Sequence, residues 1–361
     1  MIAVILVACG IAYHLLAIIA ALRFRRPAAS SGFAPPVSIL KPVRGVDPNF
    51  FEAIESHALQ DYPEFELIFG IADPHDPARA EIGKLQAKFP AIPISVIETA
   101  NDAPNGKAGS LEILVRHARH SVLLVNDGDI VVPRDYLRQV IAPLHDDRVG
   151  LVTCLYTGRG ASLAARAEAI GIATEFAPSV LVARLVSDSG FALGATMAFR
   201  AADLRAIGGF AAIREYLADD YQLGARIAAL GKRVMLSDCV VQTSLGAGSW
   251  GDVWKHQVRW SRTIRVSQTA GYFGYIVTQL TFWSILAGAL GYWGVAATGL
   301  IVRLISAAIA MRVLRAGGGA WLAPLRDLFG AAVWAAGIAG NEVEWRGLRF
   351  RLLRDGRIQR I

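Results

Sequence analysis

Residues 1–22 contain no Asp, Glu, Lys or Arg. An uncharged apolar helix of about 20 residues is long enough to cross a bilayer, so this stretch constrains the chain more than any other. Arg23, Arg25 and Arg26 follow it at once, and positive charge gathers on the cytoplasmic side of spanning helices. The expected arrangement is an anchor over 1–22 with its amino terminus outside and the remainder in the cytoplasm. A cleaved signal peptide fits less well, because it opens with positive charge and has a shorter apolar core.

A second apolar block covers 271–311, interrupted late by Arg303. Its length suits two spans with a turn near Gly291, by the same estimate of about 20 residues each. A third block, 320–340, is broken early by Arg326 and Asp327, so it reads as interfacial or re-entrant. The basic tail carries Arg346, Arg349, Arg351, Arg354 and Arg357. A cytoplasmic carboxyl terminus requires an odd number of spans, which one plus two supplies. The formal net charge of +7 then faces an anionic membrane surface, and no nucleic-acid motif accompanies it. Cys9, Cys154 and Cys239 are too scattered to form a metal-ligand pair and read as free thiols, the last two in a reducing compartment.

The intervening segment, 35–249, alternates short apolar runs with helical patterns. Runs at 37–40, 67–71, 92–97 and 122–125 read as strands, separated by helices over 49–59, 78–89 and 110–118. Such alternation implies βαβ units and a mostly parallel sheet covered on both faces. Open sheets of this kind bind ligands outside the carboxyl ends of their strands. Asp73 follows the second run there, and Asp127, Gly128 and Asp129 follow the fourth. Asp73 before Pro74 is also a good turn former. Two carboxylates one residue apart repel unless a hard cation sits between them, and such a cation neutralises a diphosphate. The pattern therefore suits a nucleotide-diphosphate donor and a divalent metal, Mn or Mg.

Asp219 and Asp220 fall in a helix-like stretch, where first-turn acids also interact well with the helix dipole. Residues 250–268 place Trp250, Trp254, Val258 and Arg262 at near-helical spacing, with Lys255, His256, Arg259 and Arg265 interleaved. This reads as an interfacial amphipathic helix. Its Arg259 has a planar, permanently charged fork suited to diphosphate, and Lys107, after Asn105 and Gly106, is a weaker candidate for the same donor, since Asn-Gly-Lys is equally an ordinary loop sequence.

Taken in order, the motifs resemble a known family. They are Ser38 to Pro48, Gln60 to Pro63, the turn from Asp73 to Pro77, Asp127 to Asp129, Asp219 to Tyr221, and Arg259 with Trp260, followed by Trp345, Arg346 and Gly347. Together they resemble the ceramide glucosyltransferases, glycosyltransferase family 21, and are similar to the hopanoid-associated glycosyltransferases of bacteria. The resemblance implies a GT-A fold, a UDP-sugar donor and a membrane lipid acceptor. It makes Asp73 a partner of the uridine base, with Asp76 as fallback, and Asp129 the metal ligand, with Asp127 sharing the ion or beside the ribose. Asp220 corresponds to the general base and Asp219 to its acidic neighbour. The tag commonly begins with Gln or Arg, and here it begins with His256. Residues 189–200, including Ser189, fall near the donor sugar by family position, and 164–182 face the acceptor.

The expected activity is transfer of a sugar, glucose from UDP-glucose, with inversion onto a lipid hydroxyl such as that of ceramide. Alternatives are a hopanoid N-acetylglucosaminyl transferase, a processive polysaccharide synthase, or a membrane scaffold that kept the fold without catalysis. Three spans offer little wall for a polymer channel, and a scaffold need not keep every acidic cluster.

Overall fold

The structure is a computed structural model describing residues 1–24, 32–187, 190–246, 248–345 and 347–361. Arg25, Arg26, Ser189 and Arg346, named above, lie outside the described residues. Strands β1 (Val37–Val43), β2 (Phe65–Ile71), β3 (Ile94–Glu98) and β4 (Val122–Val125) occupy the expected places. They alternate with α2 (Phe50–Ala58), α3 (Ala78–Lys88) and α4 (Gly106–Leu114), after an amino-terminal helix α1 (Ile2–Arg23). β1 pairs in parallel with β2 and β4, and β2 with β3. The apolar residues of β1, β2 and β4 are buried on both faces, which suits a parallel sheet covered by helices, and β3 at the edge is only partly buried.

α4 starts four residues before the periodicity alone suggests. The Asn105 side chain accepts a hydrogen bond from the Ala108 N–H at 3.1 Å and caps the helix. Lys107 is thereby fixed in a first turn rather than left on a loop.

The sheet continues through β5 (Ile130–Val131), β6 (Val149–Arg159), β7 (Met197–Arg200) and β8 (Arg233–Ser244), in the order β3-β2-β1-β4-β7-β6-β8-β5. β7 runs antiparallel to both neighbours, whereas β6 and β8 are parallel. Helices α5 (Tyr136–Ile141), α6 (Leu163–Gly171), α7 (Ala177–Val186), α8 (Ala201–Ala206) and α9 (Asp219–Ala229) fill the connections. The result is α/β with a mixed, mostly parallel sheet.

α6 and α7 are joined by a π-helical turn, Ile172–Phe176, into one apolar stretch over Leu163–Val186. Among the described residues, three helices are long and apolar enough to cross a membrane: Ile2–Arg23, Leu163–Val186 and Trp293–Val313. The block at 271–311 is divided between α11 (Thr269–Gly274), the ten-residue α12 (Leu280–Ala289) and α13 (Trp293–Val313). α1, α12 and α13 meet through Ala3, Val7, Leu280 and Ala287. Gly299 leaves no room for a Cβ beside Ser284, and such small residues let apolar helices approach closely.

Two of the three charges interrupting the last two blocks, Arg303 and Asp327, are partners. Arg303 donates to both oxygens of Asp327 on α14 (Ala323–Ile338), Nε at 2.7 Å and Nη2 at 2.6 Å, and Thr281 donates to the same carboxylate at 2.5 Å. All three side chains are buried, so each charge has the partner that burial demands.

The basic tail folds as well. β9 (Glu342–Trp345), β10 (Leu348–Leu352) and β11 (Ile358–Arg360) make a separate antiparallel sheet. Val343, Phe350, Leu352 and Ile358 pack on Leu217. The backbone N–H of Leu217 donates to Gly356, and that of Ile358 to Glu215. The tail therefore grips the loop that leads into Asp219.

Candidate active site

The parallel strands end on one side of the sheet and present Asp73, Asp127 and Asp129 there. Asp73 is exposed and accepts from the His75 N–H at 2.9 Å, the turn that Asp before Pro favours. Asp76 is buried and accepts from the N–H groups of Gly45 at 2.7 Å and Ala78 at 2.9 Å. It ties the loop after β1 to the start of α3, a holding role that leaves Asp73 the accessible carboxylate.

Asp129 and Asp127 follow β4. Burial, with the Asp127 charge beside it, pushes the Asp129 carboxyl up to about 6, although Thr243 donates a hydrogen bond to it. Among the described residues no cluster of three or more His, Cys, Asp and Glu side chains is assembled to hold a metal. Two oxygen-bearing side chains that disfavour each other's charge fit a hard divalent ion whose remaining positions are filled by phosphate and water.

Asp219 and Asp220 form the first turn of α9. Asp220 accepts from the N–H of Gly194 at 2.8 Å and of its neighbour Tyr221 at 2.7 Å. Burial, then the charge of Asp219, pushes its carboxyl up to about 6, against the pull of Lys107 and these hydrogen bonds. A carboxyl near neutrality is suited to proton transfer.

Lys107 joins the clusters. Its Nζ lies 2.8 Å from Asp127 and 3.5 Å from Asp219. Burial disfavours the ammonium, but Asp127 and Asp219 outweigh it and raise its pKa above the usual lysine value. Gly194 marks the point of convergence. A Cβ there would stand 3.3 Å from Asp220 Oδ2, 3.6 Å from Lys107 Nζ and 3.7 Å from Asp127 Oδ2.

The wall opposite is aromatic. Tyr156 on β6 is buried, and burial together with the charges of Asp220, Glu168, Asp127 and Asp129 raises its phenol pKa. Its ring centroid is 5.2 Å from that of Phe176, which is 6.1 Å from that of Trp260. His256 lies edge-on to Trp260 at 4.5 Å. Both belong to α10 (Trp250–Ser267), which opens with a capping box between Ser249 and Asp252. Arg259 is half-buried on the same helix, nearly three turns after the cap.

One buried cation escapes sequence reading. Lys41 Nζ donates to Asn126 Oδ1 at 2.7 Å and to the Asp127 carbonyl at 3.0 Å. Burial pushes its pKa down to about 7, even with Asp129 and Asp127 close by. Asn126 in turn donates to His57 Nε2 at 2.6 Å, and His57 Nδ1 donates to the Ala53 carbonyl at 2.9 Å. Lys41 sits inside a recognised motif, but its partners lie about 85 residues away.

A parallel sheet whose carboxyl-terminal side carries paired acids, with an antiparallel strand inserted beside them, defines a GT-A-type fold. The family model for glycosyl transferase family 21 matches residues 2–358, and the chain belongs to that family. Ceramide glucosyltransferase of Candida albicans is 29% identical over 122 residues, which is 30% of this chain and 22% of that protein. Ceramide glucosyltransferase 1 of Caenorhabditis elegans is 26% identical over 209 residues, 56% of this chain and 44% of that protein. The chain thus spans less than half the length of either. Among solved structures, the mannosyltransferase PcManGT of Pyrobaculum calidifontis, in complex with GDP-Man and Mn2+, matches at a TM-score of 0.57 with 20% identity, covering 93% of this chain and 96% of that one. That likeness is one of fold.

Proposed function

We propose that this protein is an inverting glycosyltransferase of the membrane, moving glucose from UDP-glucose to the hydroxyl of a lipid such as ceramide. The observation that carries this reading is the convergence of Asp220, Lys107 and Asp127 on Gly194. A base, a cation and a candidate metal-binding carboxylate stand around one small space beneath an aromatic wall. The ceramide glucosyltransferases among its relatives suggest the acceptor class.

Asp73 would receive the uridine base, and Lys107, His256, Arg259 and Trp260 the diphosphate side of the donor. Asp129 and Asp127 would hold Mn or Mg, which would supply positive charge against the departing diphosphate; the Mn2+ of PcManGT favours this choice. Asp220 takes the proton from the acceptor hydroxyl as its oxygen bonds to the anomeric carbon. The bond from that carbon to the diphosphate breaks on the opposite side, UDP leaves, and the configuration inverts. Positioned cations stabilise the charge that develops on the leaving group.

The apolar helices beside the site give a lipid acceptor a route from the bilayer, with the catalytic domain on the cytoplasmic side of the inner membrane. The test is transfer by the purified full chain in lipid nanodiscs, supplied with UDP-glucose, Mn2+ and ceramide and followed by mass spectrometry of the lipid product. Glucosylceramide formation supports the reading. UDP-glucose hydrolysis without lipid product, in the presence of ceramide and of other lipid hydroxyls, overturns it.

A further inference from the structure

Glu168 on α6 is 4% exposed and spends one oxygen on the first two residues of the tag. Its Oε1 lies 2.7 Å from His256 Nδ1 and 2.8 Å from Gln257 Nε2. A carboxylate can only accept, so His256 carries a proton on Nδ1, and Nε2 is the nitrogen left for other work. On the far side, Gln257 Oε1 accepts from Arg326 Nη2 at 2.8 Å. That bond fixes the amide with its nitrogen toward Glu168. Arg326 comes from α14, lies 3.5 Å from Glu175 of the π-helical turn, and stacks on Phe329 at 5.1 Å.

We infer that Glu168 is a positioning residue for donor binding, acting through His256. Resting on the reading of the tag as a donor-binding element, the inference adds the group that orients it. The physical case has three parts. The buried Glu168 carboxylate receives the Nδ1 proton and so turns Nε2, the other ring nitrogen, away from it. The charge-assisted bond fixes the ring plane against Trp260, whose centroid is 4.5 Å away. Trp260 reaches the buried Tyr156 through Phe176, with ring centroids 6.1 and 5.2 Å apart, which puts this pair at the wall of the site. The Gln257–Arg326 contact braces the pair against α14, so the helix carrying Arg303's partner also fixes the tag.

The experiment compares wild type with E168A, E168Q, H256A and the double variant E168A/H256A, as full chains in nanodiscs. It measures donor and acceptor KM with UDP-glucose and ceramide, and UDP binding with Mn2+ by titration calorimetry. H256A and E168A should each raise donor KM by roughly tenfold, the scale of one charge-assisted hydrogen bond, while acceptor KM stays put. The double variant should be no worse than H256A, because both changes remove one unit. E168Q keeps an acceptor of the same shape and should recover part of the loss, which also serves if E168A folds poorly. A lowered melting temperature with donor KM unchanged in E168A and E168Q, or additive effects in the double variant, overturns the role of Glu168 alone. An unchanged donor KM in H256A overturns the donor reading of the tag, and the inference with it.

Discussion

Lys107 Nζ stands 2.8 Å from Asp127 and 3.5 Å from Asp219, so one buried ammonium joins the acids after β4 to the acids that open α9. The join depends on helix α4 starting at Gly106, which the Asn105 cap fixes. The two acid clusters are thus held at one spacing by a residue from a third element.

Gly194→Ala tests how tightly that spacing is set. Its Cβ would meet Asp220 Oδ2 at 3.3 Å, so the carboxylate must shift by a few tenths of an ångström. Misplacement on that scale should cost roughly tenfold in turnover, given that about 1 Å can cost a hundredfold. The melting temperature should stay near wild type, since the N–H that bonds Asp220 is retained. Normal turnover would show that the space beside Gly194 is not where the reaction occurs.

Metal removal gives a second test. Because Asp129 and Asp127 disfavour each other's charge, EDTA should abolish transfer and Mn2+ or Mg2+ should restore it. Asp129→Asn should not be rescued at the same metal concentration. Full activity in chelator would remove the metal role of this pair.

The first four strands are readable because each is an apolar run closed by turn residues, and two, β2 and β4, have candidate site carboxylates just beyond. The long pair β6 and β8 is harder. Two register shifts, near Gly150 and between Cys154 and Leu155, break its regularity, and its polar positions interrupt any simple alternation. Arg303 and Asp327 each read as a break in an apolar stretch, whereas in space they satisfy each other. The same logic hides Lys41 and Glu168, whose partners are remote in sequence. The tail is a different case. Exposed Arg349 and Arg351 alternate with buried Phe350 and Leu352, a period-two strand pattern that five arginines obscure.

That small sheet should matter for catalysis from a distance. Phe350 is 3% exposed and packs with Leu217, two residues before Asp219. Phe350→Ala should destabilise the protein by about 3–5 kcal/mol, as for other buried aromatics. Turnover should fall further than stability loss alone explains, because the loop into α9 loses its grip. Limited proteolysis within residues 214–218, compared with kcat at a temperature where the variant is folded, checks both. An intact loop with normal kcat would make the sheet a bystander.

The pH profile and the Asp220 variants together test the base. Asp220 must be deprotonated to accept the hydroxyl proton, and burial with Asp219 holds its carboxyl up at about 6. In the free enzyme, kcat/KM should therefore fall as pH drops through about 6, rather than through the ordinary aspartate value of about 4. Asp219→Asn removes a neighbouring negative charge, which eases ionisation of Asp220 and should move that acid limb to lower pH. Asp220→Asn keeps the shape but cannot take the proton, so turnover should drop by about a hundredfold or more. Binding of UDP with Mn2+ should survive, because the proposed donor contacts are Asp73, Lys107, Asp127, Asp129, His256, Arg259 and Trp260. Near-normal turnover in Asp220→Asn would remove it as base, and loss of nucleotide binding as well would assign it to holding the site together.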